Sequence, residues 1–168
     1  MMLKNPYGTA MTVRDPRQFA GRQEALDYLY SEIVAHSCVS VIGSRRIGKS
    51  SLLYCLAQPA IQQAFAELYD LDNYLLVFVD VGEVLSCSVE DFFAMICDQL
   101  VLQAGNRLSL SPHQEMSGAD RFWHLLEQLQ ELDFYPVLLM DGFQKITRNP
   151  NFDPRFFAFM RSQANSGR

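Results

Sequence analysis

No stretch of this 168-residue chain approaches the roughly 18 uninterrupted apolar residues of a membrane-spanning helix. The first residues, Met1-Met2-Leu3-Lys4-Asn5-Pro6, lack the apolar core of a signal peptide. These two absences lead to the expectation of a soluble, cytoplasmic protein. Basic charge is also short. Fourteen Lys and Arg stand against nineteen Asp and Glu, for a net charge of −5, and no basic stripe gathers anywhere. The electrostatic footprint of a nucleic-acid binder is therefore missing. Cysteine is sparse: Cys38, Cys55, Cys87 and Cys97 form no C-x-x-C pair and stand with no histidine at zinc-ligand spacing. That excludes a zinc ribbon or disulfide scaffold and leaves four reduced, mostly buried thiols. The three histidines, His36, His113 and His124, are scattered and carry no role. Internal repeats and low-complexity segments are absent. What is present is an ordinary globular composition, half apolar and a fifth charged, long enough for one domain with a sizeable core.

Residues 1–20 hold two prolines and few periodic apolar positions, and read as an extended leader to a domain over 21–168. Leu26, Leu29, Tyr30 and Ile33 then recur at helical spacing. The apolar run 38–42 (Cys-Val-Ser-Val-Ile) predicts a buried strand ending at Gly43, followed by a helix from about Lys49 to Ala57 and a further turn or two over 60–69. Residues 74–81 (Tyr-Leu-Leu-Val-Phe-Val-Asp-Val) are apolar on both faces, as in a strand of a parallel sheet. Ser88 and Asp91 resemble a capping box, opening a helix that carries Phe92, Phe93, Ile96 and Leu100. A loop over 104–118 precedes a helix with Phe122, Leu125, Leu126, Leu129 and Leu132. A third strand, 137–140, runs into Asp141-Gly142, and Asp153-Pro154 caps a last helix. Strands alternating with helices predict an α/β fold with a mostly parallel sheet. Trp123 reads as packing, and the dense aromatic end (Phe152, Phe156, Phe157, Phe159) as core or as surface for a further part of the protein.

Within that frame, Gly43-Ser44-Arg45-Arg46-Ile47-Gly48-Lys49-Ser50 matches G-x-x-x-x-G-K-[ST] in full, between a predicted strand and a predicted helix. Glycines let the backbone curl so that successive N–H groups face one anion, and the helix adds the positive end of its dipole. In this arrangement Lys49 reaches the β- and γ-phosphates of a nucleoside triphosphate, and the Ser50 hydroxyl ligates Mg²⁺. Asp141, after four apolar residues, is placed to hold the same ion through water. Arg45 and Arg46 contact phosphate or a neighbouring subunit, or are simply solvated. Mg·ATP is thus the expected ligand, held by residues 43–51.

Three stretches carry a resemblance to the N-terminal part of prokaryotic AAA+/STAND-type P-loop ATPases, the NACHT/NB-ARC-like nucleotide-binding domains. They are Phe19-Ala20-Gly21-Arg22-Gln23-Glu24, similar to the F-x-G-R-x-x-E box of that group; the phosphate loop with its Arg45-Arg46 pair and Ser51-Leu52-Leu53 ending; and Leu138-Leu139-Met140-Asp141-Gly142-Phe143, placed like a Walker B segment and followed by Asn149-Pro150-Asn151. The resemblance implies a three-layer P-loop sandwich and a regulatory ATPase whose nucleotide state controls assembly or signalling. It implies too that Phe19, Gly21 and Arg22 line an adenine pocket with their backbone.

Two departures qualify that expectation. The family's second acidic Walker B position, which polarises the attacking water, is Gly142. Substitutes are Gln144 as a water positioner and Glu83 as a relocated base, the latter otherwise an exposed loop carboxylate. The chain also stops after the helix opened by Pro154, before the sensor strand, arginine finger and lid of the family. That leaves three expectations: a fragment, two strands that close up, or a partner (another protein or a second copy) that completes the sheet. The competing functions are a nonhydrolysing nucleotide-binding module and, with no acceptor motif to support it, a P-loop kinase.

Overall fold

The computed structural model describes residues 21–81, 87–105 and 116–166. The leader, with Phe19, and the segment carrying Glu83 lie outside the described residues. The chain divides into two compact units, Met1–Asp70 and Leu71–Arg168.

The first unit is helical. Helix α1 (Gln23–Val34) buries Leu26, Leu29 and Tyr30, the stripe read from the periodicity. Helix α2 (Lys49–Leu56) buries Ser51, Leu52, Cys55 and Leu56. Helix α3 (Pro59–Phe65) begins with a proline at its first turn, where no N–H is needed, and buries Phe65. Tyr30 is wholly buried. Its ring lies 4.8 Å from that of Phe65, and its hydroxyl donates to the Leu56 carbonyl at 2.9 Å. Burial pushes the Tyr30 phenol far above its usual range.

The strand predicted at 38–42 is not formed. Those residues have no regular structure, and Ile42 is 90% exposed. Apolar, β-branched composition favours a strand only where a neighbour supplies ladder hydrogen bonds and a surface to pack on. Among the described residues, the one sheet has two strands and this segment is not one of them.

The second unit holds that sheet. Strand β1 (Tyr74–Asp80) pairs in parallel with β2 (Tyr135–Asp141), in step from Tyr74 opposite Tyr135 to Asp80 opposite Asp141. Between them run α4 (Val89–Ala104) and α5 (Gly118–Glu131), packed on each other, α4 against β1 and α5 against β2. A parallel pair requires such a crossover. Strand β2 starts two residues before the predicted one and takes in Pro136, tolerated near a strand's beginning. A 3₁₀ helix (Phe143–Arg148) follows it, and α6 (Pro154–Ser166) closes the unit. The observed sheet is parallel, as expected, but small: two strands with helices, an α/β arrangement.

The core joins Leu75, Val77, Val79 and Val81 to Phe92, Phe93, Ile96, Leu100, Phe122, Leu125 and Leu129. Phe152 and Phe156 belong to it, which decides between the two readings of the aromatic end in favour of core. Phe92 meets Phe152 and Phe156 edge-on at 5.6 and 5.5 Å, the geometry aromatic quadrupoles prefer. Trp123 is partly exposed and packs edge-on against Phe159 at 5.3 Å.

The capping box of α4 is formed. The Asp91 N–H donates to Ser88 Oγ at 3.1 Å, and the Ser88 N–H donates to Asp91 Oδ2 at 3.0 Å. The Ser88 hydroxyl, and then its N–H, hold the Asp91 carboxyl below its usual value. Ser88→Ala is expected to cost about 1 kcal/mol in a urea melt at neutral pH. Because the folded-state value of Asp91 is depressed, its contribution is present above the unfolded carboxylate value. It is lost as pH falls through the folded one, so the difference between wild type and variant should shrink in acid.

Burial raises the Cys55 thiol and pushes Cys97 up to about 11, while Cys38 is exposed. A thiol reagent at neutral pH should modify Cys38 first and reach Cys55 and Cys97 only as the chain opens, as read by peptide mass.

Candidate functional site

The phosphate loop forms a left-handed turn into α2. Gly48, its N-cap, has φ +91°, a conformation that costs other residues roughly 1–2 kcal/mol. Arg46 is also left-handed, at φ +64°. At the other end of the loop, a Cβ on Gly43 would press Ile47 Cγ2 at 3.2 Å. The two glycines of the motif are thus favoured for different reasons, Gly48 by its dihedral angle and Gly43 by a tight approach that Ile47, exposed, would have to relieve. Lys49 folds back over the loop and donates from Nζ to the carbonyls of Gly43 at 2.8 Å and Ser44 at 2.9 Å. Ser50 lies half-buried in the first turn of α2, and Ser51 is buried behind it. Ser44, Arg45, Arg46 and Ile47 are exposed. A curled backbone, a helix N-terminus, a mobile ammonium and a hydroxyl make a donor set suited to polyphosphate.

Of the residues expected to line an adenine pocket, Gly21 is exposed with φ +80° and no neighbour around its Cα hydrogens. Arg22 reaches the loop through its side chain: Nη2 donates to the Ile47 carbonyl.

The second unit presents Asp141 at the carboxyl end of β2. Asp80 stands opposite it at the end of β1, and the Val81 N–H donates to the Asp141 carbonyl at 3.0 Å. Cross-strand partners in a parallel sheet project to one face, so the register sets two acidic side chains side by side. Asp80 carries no signal in the sequence, where it reads as the next-to-last residue of an apolar strand. Pairing register is a long-range property, and no local signal carries it. Gly142, next in the chain, has φ +73° and caps the 3₁₀ helix. A glutamate there would be strained by the positive φ, while its Cβ would meet the Lys145 side chain at an ordinary contact distance of 3.5 Å. Gln144 is exposed on that 3₁₀ helix, and its carbonyl accepts from Thr147 Oγ1 at 2.8 Å.

A polar clamp lies nearby in the chain. Asn149 is 6% exposed, and its Nδ2 donates to the Cys87 carbonyl at 3.2 Å. Asn151 Nδ2 donates to the same oxygen at 3.1 Å, and the Asn151 N–H donates to Asn149 Oδ1 at 3.0 Å. The segment after β2 is thereby tied to the residue two before α4. Burial of an asparagine, invisible in a sequence, is what distinguishes it from a turn residue. Among the described residues, His, Cys, Asp and Glu form no group of three around a common point. No described helix is long and apolar enough to cross a membrane.

Compared with known families, the chain matches Novel STAND NTPase 2 over residues 29–167. That span contains the phosphate loop, β1 and β2 and starts beyond Arg22. Searches of curated proteins and of solved structures found no match.

Because Gly142 occupies left-handed space, Gly142→Ala and Gly142→Glu should each destabilise the second unit by about 1–2 kcal/mol. Denaturant titration followed by aromatic fluorescence reads this, and an unchanged midpoint would contradict the assigned backbone conformation.

Proposed function

The chain belongs to the Novel STAND NTPase 2 family, and on that premise we propose that it binds Mg·ATP and acts as a nucleotide-controlled switch in assembly or signalling. Family membership makes it a nucleotide-binding regulatory domain. The choice of ATP, of the metal and of the residues is our reading. The observation that carries it is the left-handed Gly48 leading Lys49 and Ser50 into the first turn of α2.

In this reading residues 43–51 enclose the phosphates with their N–H groups. Lys49 leaves the Gly43 and Ser44 carbonyls and offsets charge on the β- and γ-phosphates. Ser50 and Asp141 hold Mg²⁺, which when bound supplies neutralisation of phosphate charge. Asp141 holds it through water. Phe19, Gly21 and the backbone of Arg22 remain candidates for the adenine side, and Glu83 and Gln144 for water positioning. The domain is a three-layer P-loop sandwich in a cytoplasmic protein, its sheet completed by a second copy or a partner protein.

A second reading is favoured by one observation. The residue after Asp141 is a left-handed glycine, so the usual position for a water-polarising glutamate carries no side chain and disfavours one. Nucleotide would then be held without turnover, stabilising a fold or an interface by linkage.

A direct titration beside single-turnover hydrolysis of Mg·ATP tests both readings. Binding is expected, weakened about tenfold to hundredfold in Lys49→Ala by loss of a charged hydrogen-bond donor. Asp141→Asn should reduce the Mg²⁺ dependence of binding more than binding without metal. Turnover is expected to be slow or absent. Fast turnover lost in Glu83→Gln would replace the switch without hydrolysis by a working ATPase with a relocated base. A wild-type chain that takes no nucleotide would overturn the proposal.

A further inference from the structure

We infer that Arg22 is a positioning residue of the phosphate site, acting through the Ile47 carbonyl to set the direction of the Gly48 N–H. The inference rests on the reading of residues 43–51 as a phosphate loop.

A trans peptide is planar, and its C=O and N–H point in opposite directions. Whatever holds the carbonyl of one residue therefore aims the N–H of the next. Two cations hold loop carbonyls. Lys49 takes those of Gly43 and Ser44, which orients the N–H groups of Ser44 and Arg45. Arg22 takes that of Ile47, which turns the Gly48 N–H away from the guanidinium. Contact extends beyond one bond: Arg22 Nη2 and Cζ lie 3.7 and 3.8 Å from where a Gly48 Cβ would stand. The guanidinium thus lies beside the left-handed residue on which the turn depends.

The two cations differ in what they are free to do. Lys49 is the residue assigned to the phosphates, so its carbonyl contacts are given up when they arrive. Arg22 has a backbone oxygen as its partner and can keep it.

Arg22 is itself firmly placed. It is the N-cap residue of α1, and its carbonyl accepts from the Leu26 N–H at 3.1 Å. Eight residues on, Tyr30 donates to the Leu56 carbonyl at the far end of α2. One tie thus holds the loop before α2 and the other the last residue of α2. Helix α1 works as a strut, fixed at both ends of α2, with Arg22 at the end that carries the loop.

This role makes a prediction that an adenine contact does not. A residue that shapes the loop affects every polyphosphate alike, whatever base is attached. A residue that reads the base changes the preference between bases and leaves a base-free ligand untouched.

The test compares Arg22→Met and Arg22→Lys with the wild-type chain in two measurements. Titrations with ATP, GTP and inorganic tripolyphosphate read the site. Trypsin cleavage after the exposed Arg45 and Arg46, followed by mass without ligand, reads the loop. Arg22→Met is expected to weaken all three ligands by the same factor, about tenfold or more for a lost charged donor, and to speed cleavage at Arg45 and Arg46. Arg22→Lys, which keeps a cationic donor, should fall between and also guards against simple misfolding. Unchanged binding and cleavage in Arg22→Met would overturn the inference, as would weakened ATP with tripolyphosphate retained. A wild-type chain that binds neither ATP nor tripolyphosphate would instead defeat the phosphate-site reading, and this assignment with it. The cleavage rates would then show whether the clamp exists without a phosphate to serve.

Discussion

The seven-residue parallel ladder between β1 and β2 is the constraint from which the second unit follows. Parallel strands cannot be joined by a tight turn, so the chain between them must cross over and return. It does so through α4 and α5, and the residues that line the crossover are those that cover the sheet: Phe92, Phe93, Ile96 and Leu100 from one helix, Phe122, Leu125 and Leu129 from the other. Alternate residues of β1, Leu75, Val77 and Val79, meet them, with Val81 just beyond the strand. The same register that seals the core brings Asp80 opposite Asp141 at the carboxyl ends of the strands. Core and acidic pair are one consequence of one alignment. A slip by a single residue would separate the two carboxylates.

The first unit depends on a different kind of constraint. Its chemistry resides in backbone conformation over a few residues, set by Gly48 in left-handed space and by Gly43 beside Ile47. Such a turn exposes several N–H groups at once and is not stable by itself. Cationic side chains on three of its carbonyls, two held by Lys49 and one by Arg22, stabilise the curl from outside. Lys49 thus has a structural use here and, in the proposed function, a second one toward phosphate, with Arg22 the contact that need not change between them.

Asn149 illustrates how a buried polar residue serves order rather than chemistry. With its amide satisfied by the Cys87 carbonyl and its oxygen by the Asn151 N–H, it costs little to bury and joins two segments far apart in the chain. Gly142 illustrates the converse, where a departure from a family pattern is tied to geometry. The left-handed start of the 3₁₀ helix accommodates glycine and disfavours the glutamate that the resemblance would place there.

The sequence by itself determined what is local. The phosphate-loop pattern, the helical stripe of α1, the capping box of α4, the doubly apolar β1 and the family to which the chain belongs were all legible. Each rests on spacing within a few residues or on a motif whose parts adjoin. Tertiary structure alone decided the rest. Composition at residues 38–42 reads as a strand, yet a strand exists only where another strand answers its hydrogen bonds, and none of the described ones does. Asp80 became half of an acidic pair through a register set across sixty residues, and Arg22 became a clamp through contact with a carbonyl twenty-five residues away. Propensity and motif are properties of neighbours along the chain. Hydrogen-bond pairing, burial and register are properties of neighbours in space, and no single residue's identity states them.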